Sequence, residues 1–385
     1  MTATDILIVG AGPVGAALAL LLKDSGRTVR LLEARAGAAT DGRTLALSHG
    51  SRLILESCDA WPDATATTPI THIHVSHKGA FGRSVLSADE CEVPALGYVI
   101  AYSTLQAIMD DRLAAAGIEV SRGAKVDDIA VGNANIRTGY RLGETPGSVE
   151  ARLLVLADGG ANLNRVPGLT LTERDYGQTA LVGQVELDQP HQGMAWERFT
   201  PDGPAALLPK GSAREGRYSL VWTTAPEAVA QLLALEPSAF LERLTRHFGE
   251  RAGRFISVGK RASFPLRLRV ATPRVAERIA VVGAAAQTLH PVAGQGFNMG
   301  LRDAADLARL VIGAGEDVGA ATVLAAFAAA RAADTRLGVR FTDSLVDLFS
   351  TDHPVLTVGR GLGLAALDVL PPLRRALARR MVYGR

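Results

Sequence analysis

At 385 residues the chain exceeds what one core of ordinary size encloses, so two intimately packed domains or one large α/β unit are expected and a small disulfide scaffold is excluded. The balance of 41 Lys+Arg against 39 Asp+Glu leaves a net charge of +2, too near neutral for a protein that grips phosphate backbones, so nucleic acid is not an expected partner. Hydrophobic residues make up 48% of the chain and charged ones 21%, with 40 glycines, a mix that excludes disorder and suits a buried parallel sheet wrapped by Ala/Leu-rich helices.

The opening of the chain reads as a βαβ unit: Ile6 to Gly10 a buried strand, Val14 to Asp24 a helix, Thr28 to Glu33 a second strand. From Ile70 to Val85 the pattern alternates and turns, and Gly177 to Thr224 is again strand-rich with Gly/Pro punctuation, which predicts an antiparallel sheet inserted into the α/β unit. Between these, Thr104 to Ala116 is helical and Leu153 to Ala157 is a short apolar strand ending in Asp158-Gly159-Gly160. Arg278 to Gly283 is a further strand, followed by a long loop and a helix from near Gly296 through Leu310. This unit is expected to meet the first at the carboxyl edge of the sheet, where open α/β sheets bind ligands. The Ala-rich stretch Ala320 to Ala333 is good helix, and the last forty residues are helical with breaks at Gly359, Gly361, Gly363 and Pro371-Pro372.

Cys58 and Cys91 stand in no C-x-x-C arrangement, so they indicate packing thiols, no metal site and a reducing compartment. His72, His74 and His77 put only two rings on one face of a strand, with no third ligand in view. The N-terminus has no basic start with a small-residue cleavage site, and its apolar stretch from Ala16 ends at Lys23, short of the roughly 20 residues of a membrane span. The expected location is cytoplasmic, with peripheral contact at the inner membrane face a further option.

Gly10-Ala-Gly12-Pro13-Val14-Gly15 is G-x-G-x-x-G in its required place between strand and helix, where backbone amides and the helix dipole hold a pyrophosphate. Glu33 follows 18 residues beyond Gly15, placed to bond the hydroxyls of an unphosphorylated adenosine ribose. The fingerprint alone does not separate NAD from FAD, and no second copy with strand context is present. In Arg278 to Leu310, Gly283 ends a strand, Pro291 lies in the loop, and Gly294, Gly296 and Gly300 let the backbone approach a flat ligand at a helix N-terminus.

Together these features resemble the flavin-dependent aromatic hydroxylases of the 4-hydroxybenzoate hydroxylase fold. Within them the chain is most similar to the ubiquinone-biosynthesis hydroxylases, nearest to the bacterial group acting on 2-octaprenyl-6-methoxyphenol. The blocks that carry the likeness are DGRTLALSHGS (41–51), HIHVSHKGAFG (72–82), WERFTPDGPAALLP (196–209), AAAQTLHPVAGQGFNMGLRD (284–303) and VGRGLGLAALDVLPPLRRALA near the C-terminus.

The resemblance implies an α/β protein with a Rossmann-like FAD-binding domain (1–70, 97–168 and 275–345), an inserted antiparallel-sheet substrate domain (71–96 and 169–274) and a helical C-terminal segment (346–385). FAD would be the cofactor and NAD(P)H the co-substrate, with O2 and a prenylated phenol as reactants. Gly10, Gly12, Pro13, Val14, Gly15, Glu33, Ala34 and Arg35 would hold its adenosine half, and Arg43 would cross above the flavin. Asp158 and Gly159 would serve near FAD and NAD(P)H. Gly283 would also bind the cofactor, Pro291, Gly294, Gly296, Phe297 and Asn298 would line the flavin ring, and His290, Pro291, Gly294 and Gln295 would flank the reacting centre.

Two departures from the family pattern stand out. Ala284 replaces the Asp or Asn that follows the equivalent of Gly283, and Tyr102 replaces an Arg, Gln or Asn. They weaken the expectation of tight FAD binding and motivate an alternative, a non-catalytic member of a quinone-biosynthesis assembly. A hydroxylase of soluble phenols is the other alternative. Trp196, Phe199, Trp222 and Phe264 are candidate walls of an aromatic pocket. The C-terminal LRRALARRMVYGR sets Leu373, Leu377 and Met381 on one helical stripe flanked by Arg374, Arg375, Arg379 and Arg380, which suggests contact with a membrane surface or with partner proteins.

Overall fold

The computed structural model describes residues 2–78, 83–290, 294–349 and 368–384. Its first sheet has a parallel centre in the order Ile279–Val281, Thr145–Leu156, Thr2–Val9, Val29–Glu33 and Glu119–Arg122. Ile6, Leu7 and Ile8 run in register with Leu153, Leu154 and Val155, all fully buried, because helices cover one face and the strands Ala124–Val131 and Ile136–Leu142 pack on the other, and unbroken apolar runs are then the favourable sequence. The strand expected at Leu153 to Ala157 is the end of a longer one, Thr145–Leu156, whose first half pairs antiparallel with Ile136–Leu142.

The second sheet has nine strands among the described residues. Its spine is the 18-residue strand Thr170–Leu187, paired antiparallel with Ala262–Thr272 and Arg217–Thr224. One pairing departs from the antiparallel expectation: Met194–Phe199 runs parallel to His72–His77. These strands come from separate excursions of the chain, so no hairpin fixes their direction. A small sheet with Gly97–Ala101 between Thr44–Ser48 and Thr68–Ile70 joins the two large ones.

Helix Pro13–Leu21 packs on helix Gln295–Ile312 so closely that a Cβ on Gly300 would lie 2.9 Å from Val14 Cγ2. Helix Ala321–Phe349 continues well past Ala333. The last helix, Pro371–Tyr383, folds back on the protein and buries Ala378 and Val382 against Leu86, Cys91 and Leu96. The breaks at Gly359, Gly361 and Gly363 lie outside the described residues. Cys58 and Cys91 are buried and free, and burial pushes the Cys58 thiol up to about 11. No helix among the described residues is long and apolar enough to cross a membrane.

Candidate functional site

A groove of about 560 Å3 opens at the carboxyl ends of the parallel strands. Gly10 turns out of the first strand at φ +102°, and a Cβ on Gly15 would lie 2.0 Å from Gly10 O, so both serve the tight strand-to-helix turn. Gly12 differs. Among the described residues a Cβ there would meet only the Tyr102 hydroxyl, at 3.6 Å, leaving room for a phosphate against the N-terminus of helix Pro13–Leu21, which has no side-chain cap. The loop is held in place by Glu33, whose carboxylate accepts from Ala11 N at 2.6 Å and from Arg35 N at 2.7 Å.

Several donors face this groove. Arg35 donates through Nη1 to Gly37 O, while its buried Nη2 has no hydrogen-bond partner among the described residues and only a 3.7 Å ion pair with Asp110. The Tyr102 ring lies under the Arg43 guanidinium at 5.3 Å, and burial raises its pKa, so it stands as a neutral O–H donor beside Gly12. Arg43 itself is bound to Asp41. Gln106, which sequence reasoning missed, donates to Ala11 O at 2.9 Å and stiffens the loop from below.

On the opposite wall, Asp158 accepts from Gly160 N at 2.9 Å and from Asn162 N at 3.0 Å, fixing the turn after strand Thr145–Leu156. Gly283 N is held by Asp303, and Ala284 is exposed to the groove beside Thr288. Among the described residues a Cβ on Gly296 would meet nothing nearer than Leu289 N at 4.0 Å, so the start of helix Gln295–Ile312 borders the groove with backbone next to Phe297. Pro13, Val14, Ala34 and Gly159 complete the predicted residues that line the groove.

Other predicted residues stand elsewhere. Asn298 is buried and its amide is fully used: Oδ1 accepts from Ser48 N at 2.8 Å and Ser51 Oγ at 2.7 Å, and Nδ2 donates to Ala46 O and Gly294 O. Its side chain clamps the flavin-side helix to strand Thr44–Ser48. His290 points to the long strand, with Nε2 3.0 Å from Gln178 Oε1 and its ring edge-on to Tyr176, and burial lowers its pKa to about 4. Pro291 lies outside the described residues.

Gly294, in the left-handed region at φ +58°, and Ala46 border a second, apolar cavity of about 100 Å3 under the nine-stranded sheet, walled by Ile70, Ile73, Leu208, Val221 and Met381. Leu45 faces the groove where Ala46 faces this cavity, and Gly296 faces the groove where Gly294 faces the cavity, so the two spaces meet at this edge. A further pocket of about 60 Å3 shares Ala46, Ile70, Ile73 and Met381 and continues between Leu86, Leu96 and Ala378, with Gln295 at its rim. Of the expected aromatic walls, Trp196 borders the cavity beside Gly294, whereas Phe199, Trp222 and Phe264 are not among its lining. Trp222 lies in the core against Phe240 and His247, and the lining is mainly aliphatic because period-2 alternation sends Trp222 to the far face.

An open Gly12 cradle, a glutamate at the end of the second strand, a buried arginine N–H with no hydrogen-bond partner among the described residues and a helix N-terminus at the far end fit FAD. The fold agrees. The structure matches p-nitrophenol 4-monooxygenase PnpA from Pseudomonas putida DLL-E4 with a TM-score of 0.80 at 17% identity, over 100% of this chain and 98% of the other. It also matches PqsL, a probable FAD-dependent monooxygenase from Pseudomonas aeruginosa, with a TM-score of 0.76 at 20% identity, over 94% and 99% of the two chains. Fold and groove together define a protein of the 4-hydroxybenzoate hydroxylase fold with a nucleotide groove at its sheet's carboxyl edge.

The sequence narrows the class. Residues 3–342 match the family described as FAD binding domain. The chain is 37% identical to ubiquinone hydroxylase UbiL of Rhodospirillum rubrum, over 97% of this chain and 88% of the relative, and 30% identical to 3-demethoxyubiquinol 3-hydroxylase of Escherichia coli, over 97% and 96%. It therefore belongs to the FAD-dependent aromatic hydroxylases of the ubiquinone-biosynthesis family.

Proposed function

We propose that this protein uses NAD(P)H and O2 to hydroxylate a prenylated phenol in ubiquinone biosynthesis. The observation that carries the reading is the apolar cavity at the flavin end of the groove and its continuation past Met381 beneath the C-terminal helix. A soluble phenol has no need of that continuation, whereas a prenyl tail gains roughly 25 cal/mol for each Å2 it removes from water. Bound FAD supplies the electron transfer and oxygen activation. The residues of this chain hold it and shape its surroundings: Gly12, Tyr102 and Arg35 bind the pyrophosphate and adenosine half, Glu33 the ribose, and the amides around Gly296 face the ring, where a helix N-terminus favours negative charge. Ile70, Ile73 and Val221 keep water from the reacting ring.

The non-catalytic alternative loses its motive at Tyr102, which adds a donor to the groove rather than removing one. The three-part FAD domain, the two-part substrate domain and the C-terminal segment with the boundaries given above form part of the same proposal. The substrate reaches the cavity from a membrane surface met by Val369, Leu370 and Leu373, which are exposed at the start of the last helix. The test is purified protein with FAD, assayed for NAD(P)H oxidation with and without a prenylphenol, and for incorporation of isotopically labelled oxygen into the product. Oxidation that no prenylphenol stimulates, with no labelled product, overturns the reading.

A further inference from the structure

A further cavity, of about 610 Å3, shares no lining residue with the FAD groove. On strand Met194–Phe199, alternation turns Met194 and Trp196 to this space and Ala195 to the cavity beside Gly294, which Trp196 also borders. The loops that frame it, 188–192 and 250–254, are tied to each other: Asp188 N donates to Arg254 O at 3.0 Å, and Asp188 accepts from Arg254 N and Nε, both at 2.9 Å. A Cβ on Gly253 would lie 2.8 Å from Asp188 Oδ1, so the two loops meet with no slack. His191, whose Nδ1 accepts from Gly193 N at 3.0 Å, holds the Tyr218 ring edge-on at 5.8 Å. The cavity is thus preformed, in the size range that takes small molecules.

Its polar groups are unevenly used. Asp188 is bound to Arg254, and Glu250 adds to the negative charge that raises the pKa of that same arginine. Arg251, exposed on the same loop, has no carboxylate partner among the described residues. Burial and then the Arg251 charge lower the pKa of His74, to about 4, and of Arg198, so this end of the cavity is positive. At the floor, Trp196 Nε1–H is turned to the Tyr218 oxygen without completing a hydrogen bond of good geometry. The buried Tyr218 keeps its own O–H to donate into the space.

We propose that this cavity is a second ligand site and takes an aromatic carboxylate, with the ring against Trp196 and Tyr218 and the carboxylate held by Arg251 and the Tyr218 O–H. A guanidinium and a neutral hydroxyl give a carboxylate two donors, one of them charge-assisted, and the indole face offers a flat apolar surface to the ring. A neutral ligand leaves the positive end unanswered. An anion without a ring leaves the aromatic floor bare. The site stands apart from the FAD groove, so its ligand is bound there without being transformed.

The test uses the full-length, FAD-loaded protein as wild type, Arg251→Gln and Tyr218→Phe, with FAD retention and far-UV circular dichroism as the folding control. 2-Naphthoate and its neutral isostere 2-naphthamide are titrated by calorimetry at low and high salt. Wild type is expected to bind the carboxylate at least tenfold more tightly than the amide, and less tightly at high salt. Arg251→Gln should lose at least tenfold in naphthoate affinity with naphthamide nearly unchanged, and Tyr218→Phe should lose several-fold. Neither residue borders the groove or the cavity beside Gly294, so these losses locate the bound molecule. Naphthoate binding that Arg251→Gln leaves intact places the molecule elsewhere and overturns the assignment. A wild type that fails to bind naphthoate, or binds the amide equally well, overturns it too.

Discussion

Asp303 Oδ2, fully buried on helix Gln295–Ile312, accepts a hydrogen bond at 3.0 Å from the backbone N–H of Gly283, at the end of a parallel strand that borders the groove. The same carboxyl group accepts from Arg331 Nε at 2.7 Å and Gln287 Nε2 at 2.9 Å, and forms an ion pair with Arg274 Nη1 at 2.9 Å. One aspartate thus ties the flavin loop, two helices and the end of the substrate sheet together. Removing Arg331 leaves the buried Asp303 carboxylate with Arg274 as its one cation among the described residues and takes a cation from Asp334 as well, so Arg331→Met should cost on the order of 3 kcal/mol. Denaturant unfolding measures it, and a loss below 1 kcal/mol would show that the pair behaves as a surface bridge.

Two substitutions in the groove act in opposite directions on FAD. Gly12→Val fills the space where the phosphate fits, since only the Tyr102 hydroxyl lies near its Cβ, and flavin retention should be lost while the fold persists. Ala284→Asn restores a polar side chain at a groove-facing position and should tighten FAD by about 0.5–1.5 kcal/mol, one net hydrogen bond. Both are read by titration of the apoprotein with FAD. Equal affinity across wild type and Gly12→Val would refute the cradle.

Burial holds three histidines neutral: His74 near about 4, His290 near about 4 and His247 near about 3, against an ordinary 6.5. Above pH 6.5 neither folded nor unfolded chain protonates them. Between 6.5 and about 4 the unfolded chain takes up protons that the folded one refuses, so stability falls as pH falls, by up to about 1.4 kcal/mol per unit per histidine. His247→Phe keeps the ring that packs on Trp222 at 4.3 Å and removes one of these protons. Melting temperature against pH should then fall less steeply for the variant, and parallel curves would count against the account.

The nucleotide fingerprint was legible because its glycines, strand and helix sit within one short window, and steric reach explains each of them. The Asp303–Arg331 pair was not, because aspartate and arginine on amphipathic helices read as solvated faces and their partners are 28 positions apart. Asn298 was legible as a site residue, but its amide bonds to Ser48 and Ala46 depend on a strand some 250 positions away. At the C-terminus two helical faces compete in the same sequence. The stripe Leu373, Leu377, Met381 is the more hydrophobic, yet the buried face is Ala378, Met381 and Val382 because small residues approach Leu86 and Leu96 closely, and Leu373 is left 48% exposed.

That arrangement changes what a membrane test should target. Arg374 is committed to Glu90 through two bonds of 2.7 and 2.6 Å, so it is a docking residue for the helix. The apolar surface left outward is Val369, 74% exposed, with Leu370 and Leu373, beside Arg375 and Arg379. Flotation with anionic liposomes should be strong at low salt and weakened by Leu370→Asp/Leu373→Asp, with roughly 1 kcal/mol of headgroup attraction per arginine screened by salt. Binding that ignores both substitutions and salt would remove this surface from substrate delivery.

Met381 offers the sharpest test of where the tail runs. Its side chain borders both apolar spaces, about 100 Å3 beside Gly294 and about 60 Å3 beside Ala378, and so stands where the ring and tail of the proposed substrate would meet. Methionine is suited to such a place, being unbranched and able to change rotamer without backbone movement. Shortening it joins the two spaces; enlarging it closes them off from one another. Met381→Ala should therefore leave turnover of a long-tailed phenol intact or improved. It also removes packing against Ile73 and Leu86, costing about 2–3 kcal/mol of stability. Met381→Trp should raise KM for the long-tailed phenol at least tenfold while leaving a phenol with a single prenyl unit nearly unaffected. The comparison of KM across tail lengths in the two variants decides the matter. Equal losses for short and long tails would mean that the tail leaves the ring cavity by another path.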